Sequence, residues 1–185
     1  WAGLHRYHHS YPDTETDTHS PWDNGKLTFR KAFSAWTGIG WEIPSIPIKF
    51  VKDLYRDSFH RFLMDNYFKI IFITLVILFI IDPLLPFYVY FIPSVLAFHG
   101  VSMINVLGHC DGYRNYDTKD KSTNIVPWGI VIGGEELHNN HHGDPANPKL
   151  SRKFLEFDIG WMWFKLFNKL GIAWERKDGI QQSSN

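Results

Sequence analysis

Two copies of one histidine pattern stand near opposite ends of this 185-residue chain, His5-Arg6-Tyr7-His8-His9 and His138-Asn139-Asn140-His141-His142. In a helix, positions i, i+3 and i+4 share a face, so each H-x-x-H-H aims three imidazoles at one point. His109, which closes Asn105-Val106-Leu107-Gly108-His109, brings the clustered histidines to seven of the chain's ten. Imidazole suits Fe, Zn, Cu and Ni. Four ligands fill a tetrahedral ion such as zinc, so seven nitrogens predict a two-metal centre. Any fold of this chain must carry its start, its middle and its third quarter to one place.

The segments between the motifs limit how that is done. Residues 70–81 (IIFITLVILFII) are almost uninterrupted apolar. Extended back to Phe62, the stretch reaches about 20 residues, enough to cross a bilayer's hydrocarbon core. Asp82-Pro83 and Pro86 make a turn, and a second apolar stretch runs from Phe87 to about Leu107, where Pro93 predicts a tolerated kink. A buried helical hairpin in a soluble domain is the blander alternative; so long an apolar run favours the membrane. A two-span hairpin returns to the side it left, so all seven histidines share one face. Arg56, Arg61 and Lys69 precede the hairpin, Arg114, Lys119 and Lys121 follow it, and its turn has no Lys or Arg. The positive-inside rule sets the histidine face in the cytoplasm.

The flanks are polar or amphipathic. Residues 11–25 are turn-rich (Tyr11-Pro12-Asp13, Ser20-Pro21, Asp23-Asn24-Gly25) and predict a loop. Residues 27–41 and 154–170 are aromatic amphipathic segments, suited to the headgroup level or to packing against a cytosolic domain. In the second of them Glu156 and Asp158 lie early and Lys165 and Lys169 late, as helix polarity favours. Residues 49–65 carry apolar positions at helical spacing, and the tail Gln181–Asn185 reads as unstructured. Nineteen basic residues against nineteen acidic give zero net charge, and no basic stripe points to nucleic acid. One cysteine, Cys110, excludes an internal disulfide and cysteine-based zinc or iron–sulfur sites. An aromatic content of 17% fits a protein that meets a bilayer interface.

With these motifs in place the chain resembles the membrane fatty acid desaturases, in particular their acyl-CoA (stearoyl-CoA, Δ9-type) branch. The family's second histidine box looks like His5–His9, followed by Asp17-Thr18-His19-Ser20-Pro21. Asn105-x-x-x-His109 and Gly112-Tyr113-Arg114-Asn115-Tyr116-Asp117 are similar to its N-x-x-x-H…G-Y-R-x-Y-D. The third box looks like Gly134-Glu135-Glu136-Leu137 followed by His138–His142, and Glu156-Phe157-Asp158-Ile159-Gly160-Trp161 resembles the element beyond it.

The resemblance implies an all-α integral membrane protein. A transmembrane hairpin over 62–109 would carry a cytosolic, histidine-rich helical cap built from 1–61 and 110–185, the whole forming one partial desaturase domain. It implies two irons (Fe2+/Fe3+) on His5, His8, His9, His109, His138, His141 and His142, with Asn105 reaching metal through a water. O2 would be co-substrate, a long-chain acyl-CoA or acyl-lipid the substrate, and membrane lipid the surroundings. Electrons would come from a separate cytochrome b5, ferredoxin or rubredoxin. Two more family ligands belong to a first box upstream of the second, and two further transmembrane helices also precede it, so the chain reads as an N-terminally truncated fragment. The HNNHH form of the third box points to a bacterial inner membrane rather than the endoplasmic reticulum.

Around the ligands, Glu135 and Glu136 are the expected hydrogen-bond partners of the rings, with Asp13, Asp111 and Asp144 nearby, and Arg114 and Asp117 an expected ion pair supporting the His109 segment. His19 is expected as a hydrogen-bonded loop residue beside the site, His60 as a surface residue, and His99 as a neutral histidine packed between helices. Competing functions are a di-iron acyl hydroxylase, a non-catalytic truncated membrane metal-binding protein, and a zinc transporter, which would place its ligands within the spans.

Overall fold

A computed structural model describes residues 1–175; the tail Gln181–Asn185 lies outside the described residues. Helices dominate, joined by two very short sheets. Helix α1, Ala2–Ser10, carries the whole first histidine motif. The polar loop after it closes in a hairpin of β1, Trp22–Asp23, and β2, Lys26–Leu27, with Trp22 opposite Leu27. Asn24 and Gly25 both have positive φ, the backbone that a two-residue hairpin turn needs and that Asn-Gly supplies most easily.

Helix α2, Phe29–Thr37, starts where the Thr28 hydroxyl accepts the Lys31 N–H and stops at Gly38 in the left-handed conformation. A single turn of 3-10 helix at Ile48–Phe50 leads into α3, Lys52–Arg56, and α4, Ser58–Asp65, which the Asp57 carboxylate caps. Next come α5, Tyr67–Ile81, a π-helical turn at Pro86–Phe91, and α6, Ile92–Leu107. After α6 an irregular segment reaches β3, Trp128–Gly129, then α7, His138–Gly143, which carries the second motif. Strand β4, Phe157–Asp158, pairs parallel to β3, and α8, Ile159–Lys169, completes the order.

Two expectations change here. The first apolar stretch is not one continuous helix: α4 and α5 meet at Asn66 and are bent by 67°. The Phe62 carbonyl accepts both the backbone N–H and the side-chain amide of Asn66, which closes α4, and α5 alone, with 15 residues, is roughly 22 Å long. The second stretch is continuous over Pro86–Leu107, 22 residues long and apolar enough to cross a membrane. Pro93 is accommodated by the π turn before it, where the Ile92 N–H reaches back to Phe87. The segment 154–170 also divides. Its helix begins only at Ile159, because Asp158 accepts the Trp161 N–H as its cap, so Glu156 lies outside the helix.

The interior is polar. Buried apolar side chains are few, among them Ala35, Ile104, Val106, Leu137 and Leu150, whereas His8, Asp17, His19, Asn105, His109, Asn124, His138, Asn139 and Asn140 are all buried. The apolar residues of α5 and α6 face outward instead, with Phe68, Phe72, Ile80 and Leu96 largely exposed. α2 lies along α6, where Trp41 and Gly38 meet Phe98.

Candidate metal centre

α1, the end of α6 and α7 converge, and all seven clustered histidines meet. They form two adjoining groups: His8, His109, His138 and His142 in one, His5, His9 and His141 in the other. Within each group the nearest ligand atoms lie within 4.8 Å of one another. The ring of His9 lies 4.4 Å from that of His142, so the groups share a wall. His8, His109 and His138 are fully buried.

The rings present the same edge inward. His8 Nε2 lies 3.2 Å from His142 Nε2, and His109 Nε2 lies 3.1 Å from His138 Nε2. In the second group His5 Nε2 is 3.1 Å from His9 Nε2 and 3.3 Å from His141 Nε2. The opposite edge explains the tautomer. His8 Nδ1 lies 2.7 Å from Asp17, His109 Nδ1 3.0 Å from Asp13 and His142 Nδ1 2.9 Å from Asp120. An ionised carboxylate only accepts, so each of these Nδ1 atoms donates and each Nε2 keeps a bare lone pair. Bare lone pairs about 3.2 Å apart repel unless a cation lies between them. Metal–nitrogen bonds of about 2.0–2.1 Å set the ligand atoms of a tetrahedral shell roughly 3.4 Å apart, which matches this spacing. The donor set therefore fits transition-metal ions.

Electrostatics agree with that fit. Burial, reinforced by neighbouring imidazoles, lowers His5 and His141 from the ordinary 6.5 to about 3. Burial lowers His142 to about 4 against the opposing effect of the hydrogen bond it donates to Asp120, and it also pushes His9 and His138 down. These rings are neutral ligands at neutral pH. Burial alone would raise Asp13, Asp17 and Asp120, but bonds from the histidines, hydroxyls and backbone N–H groups outweigh it and hold all three below the usual carboxylate range. Asp13 keeps its place with a left-handed backbone, φ 59°, while its carboxylate also takes the Ser20 hydroxyl and the Lys121 N–H.

The carboxylates at the rings are thus not the expected ones. Glu136 accepts the backbone N–H groups of Val131 and Ile132, and Glu135, raised to about 7 by burial and by the charges of Asp158 and Glu136, sits away from the rings with them. Arg114 does not pair with Asp117. Its guanidinium holds the Thr118 and Asp120 carbonyls, so it braces the loop that brings Asp120 to His142 rather than the His109 segment. Asp144 pairs with Arg152, and Asp111 is exposed. Of the expected carboxylates only Asp13 touches a ring. Asp17 and Asp120 were missed, although Asp17 stands within the His19 motif.

Asn105 is buried on α6 one turn before His109. His19 is buried beside His8 and Trp41, with both ring nitrogens unpartnered, so it is not the hydrogen-bonded residue expected. Burial and His8 lower it to about 4. His60 is exposed and bonded to Asp57. His99 is exposed on α6 and not packed between helices. The two asparagines inside the third motif carry a task of their own. Asn139 bonds the backbone of Asn115, Tyr116 and Ser122, and Asn140 bonds Asn115, Asn124, Leu150 and Glu156, which fixes α7 in the segments around it.

Comparison with known proteins gives a concordant result. A family model described as fatty acid desaturase matches residues 1–152. The sn-1 stearoyl-lipid 9-desaturase of Anabaena variabilis is 34% identical over 94% of this chain and 62% of its own length. The sn-2 palmitoyl-lipid 9-desaturase of a Nostoc strain is 32% identical over 94% of this chain and 61% of its own. The acyl-CoA C20 Delta5-desaturase of Anemone leveillei is 30% identical over 96% and 56%. The chain spans about three fifths of the length of the curated relatives it matches. No solved structure matches it.

Proposed function

Because the chain belongs to the fatty acid desaturase family, we propose that its two histidine groups hold two iron ions, and that the full-length protein uses them with O2 to place a cis double bond at carbon 9 of a long-chain acyl group. The observation that carries this reading is the convergence of seven histidine rings, three of which a carboxylate behind the ring turns with a bare Nε2 to the centre. His8, His109, His138 and His142 would hold one ion and His5, His9 and His141 the other, with Asn105 reaching metal through a water. Bound iron would supply the oxidising power to break unactivated C–H bonds, which no side chain can do by acid–base chemistry. Asp13, Asp17 and Asp120 keep three rings turned to the metal, and burial keeps the ligands neutral and stray water out. A separate electron-carrier protein would supply two electrons per turnover.

The outward apolar surface of α5 and α6 supports a membrane location. Pro86–Leu107 would be one span and the bent pair α4–α5 a second, broken one, joined by the turn at 82–85. Both histidine motifs then lie on one side, and the distribution of Lys and Arg sets that side in the cytoplasm. Relatives are named for both lipid-linked and CoA-linked acyl chains, so the product assay must identify the carrier.

The test is gas chromatography–mass spectrometry of fatty acids from cells expressing the full-length protein, beside a His138→Ala control. A new Δ9 monoene that vanishes in the control is the expected result. Hydroxylated acyl chains, or no new product from inserted protein supplied with reductant, would contradict it.

A further inference from the structure

Trp22 connects the buried cluster to the surface. Its half-buried indole N–H donates to the backbone carbonyl of His109 at 2.7 Å, one residue's bonds away from a ligand ring. The Lys121 ammonium lies over the same indole, 5.4 Å from the ring centroid. Lys121 is itself tied to the site, since its backbone N–H donates to Asp13, the carboxylate behind His109. Trp22 and Lys121 belong to the segments 22–31 and 114–121. These segments contribute Lys26, Arg30, Lys31, Arg114, Lys119 and Lys121 against three carboxylates, in a chain whose charges balance overall. Asp23 is engaged by Arg30 and Asp120 is turned inward onto His142, so of the three only Asp117 points its charge outward unengaged by either. Glu15 and Asp111 lie exposed nearby.

We infer that this face is where the electron donor docks, a small protein with an acidic patch around its redox centre, and that Trp22 is the port through which electrons pass to His109. This rests on the desaturase reading above. Converting –CH2–CH2– and O2 to –CH=CH– and two waters consumes two electrons and two protons, and a one-electron carrier protein delivers the electrons in two encounters. Opposite charge on the two surfaces speeds and orients such encounters, and the gain falls as salt rises. Trp22 is a positioning residue and Lys121 a docking residue; neither touches substrate.

The experiment uses the full-length protein in nanodiscs, with a reduced acidic ferredoxin as probe. Binding is measured on the metal-free protein, and reduction of the iron-loaded protein is followed by stopped flow. Lys121→Glu should weaken ferredoxin binding about tenfold at low salt, flatten the salt dependence and leave reduction by dithionite unchanged. Trp22→Phe, which keeps a ring and loses the N–H, should bind ferredoxin normally but accept its electrons several-fold more slowly at saturation. Ferredoxin bound equally by wild type and Lys121→Glu, or bound by neither, would overturn the inference. So would dithionite reduction slowed as much as ferredoxin reduction. A defect confined to Trp1→Phe would overturn it too, since Trp1 stacks on His5 at 4.7 Å and would then be the port. Iron that dithionite cannot reduce would instead defeat the desaturase reading, while the binding measurement still decides the docking face.

Discussion

At the scale of single residues, the carboxylate behind a ring would decide how well a histidine group holds metal. Removing an outer carboxylate partner of a metal-bound histidine typically costs about 10–100-fold in affinity. Asp17→Asn should therefore lower iron affinity by about that factor, read by competition with a chelator, because the amide no longer compels His8 to donate from Nδ1. Unchanged affinity would show that the His8–Asp17 bond is incidental. Protonation gives a second residue-scale prediction. An unfolded histidine titrates near 6.5, while folded His5 and His141 titrate at about 3 and His19 and His142 at about 4. Between those limits the unfolded chain binds more protons, so stability rises with pH through the window, is complete above 6.5 and is lost towards 3. The depressed aspartates act in the same direction, but only below about 4. The unfolding temperature of metal-free protein should be flat above pH 7 and fall steeply from pH 6.5 to 4. A level profile there would contradict the buried, neutral state of the rings. The residues that form the two histidine groups were legible in the sequence. Their partners were not, because several carboxylates lie near the motifs along the chain and only the loop conformations select Asp13, Asp17 and Asp120.

At the scale of elements, close approach between α6 and α7 sets the four-histidine group. A Cβ on Gly108 would lie 2.6 Å from the Ile104 carbonyl oxygen and 2.7 Å from the His138 ring. Gly108→Ala should push His138 out of line, cost about 1–3 kcal/mol, and weaken the first metal site while sparing the second. Metal titration would show one of two equivalents lost; retention of both would mean that the ring shifts without penalty. The apolar stretch ending in α6 was readable from its length, and α2 from its amphipathic pattern, although α2 stops at Gly38, short of the expected 41. The break at Asn66 was not, because one asparagine at the junction is a weak signal beside the apolar run of residues 70–81. The delayed start of α8 escaped for a similar reason. Glu156 reads as an early helix charge, yet it accepts from Tyr113, Asn115 and Asn140 and from the backbone N–H of Arg152 and Lys153.

At the scale of the whole molecule, a polar buried interior and an apolar exterior reverse the order of a water-soluble domain. Lipid around α5 and α6 would resolve the reversal, since hydrocarbon leaves hydrogen bonding and packing, not burial of apolar area, to hold the helices. If so, Leu84→Cys in the turn should react with an impermeant thiol reagent from outside intact cells, and Lys119→Cys only after lysis. Labelling of both from one side would rule out the hairpin. That the seven histidines come together was expected from the order of the motifs and apolar stretches along the chain. Their division into four and three was not, because it depends on how the side chains of α1 and α7 meet.

The most direct measurement is iron content and Mössbauer spectroscopy of the purified full-length protein loaded anaerobically with 57Fe. Two irons per chain in two histidine-rich environments, with one lost in His138→Ala, is the expected result. A single iron, or none in a folded protein, would contradict the two-metal centre.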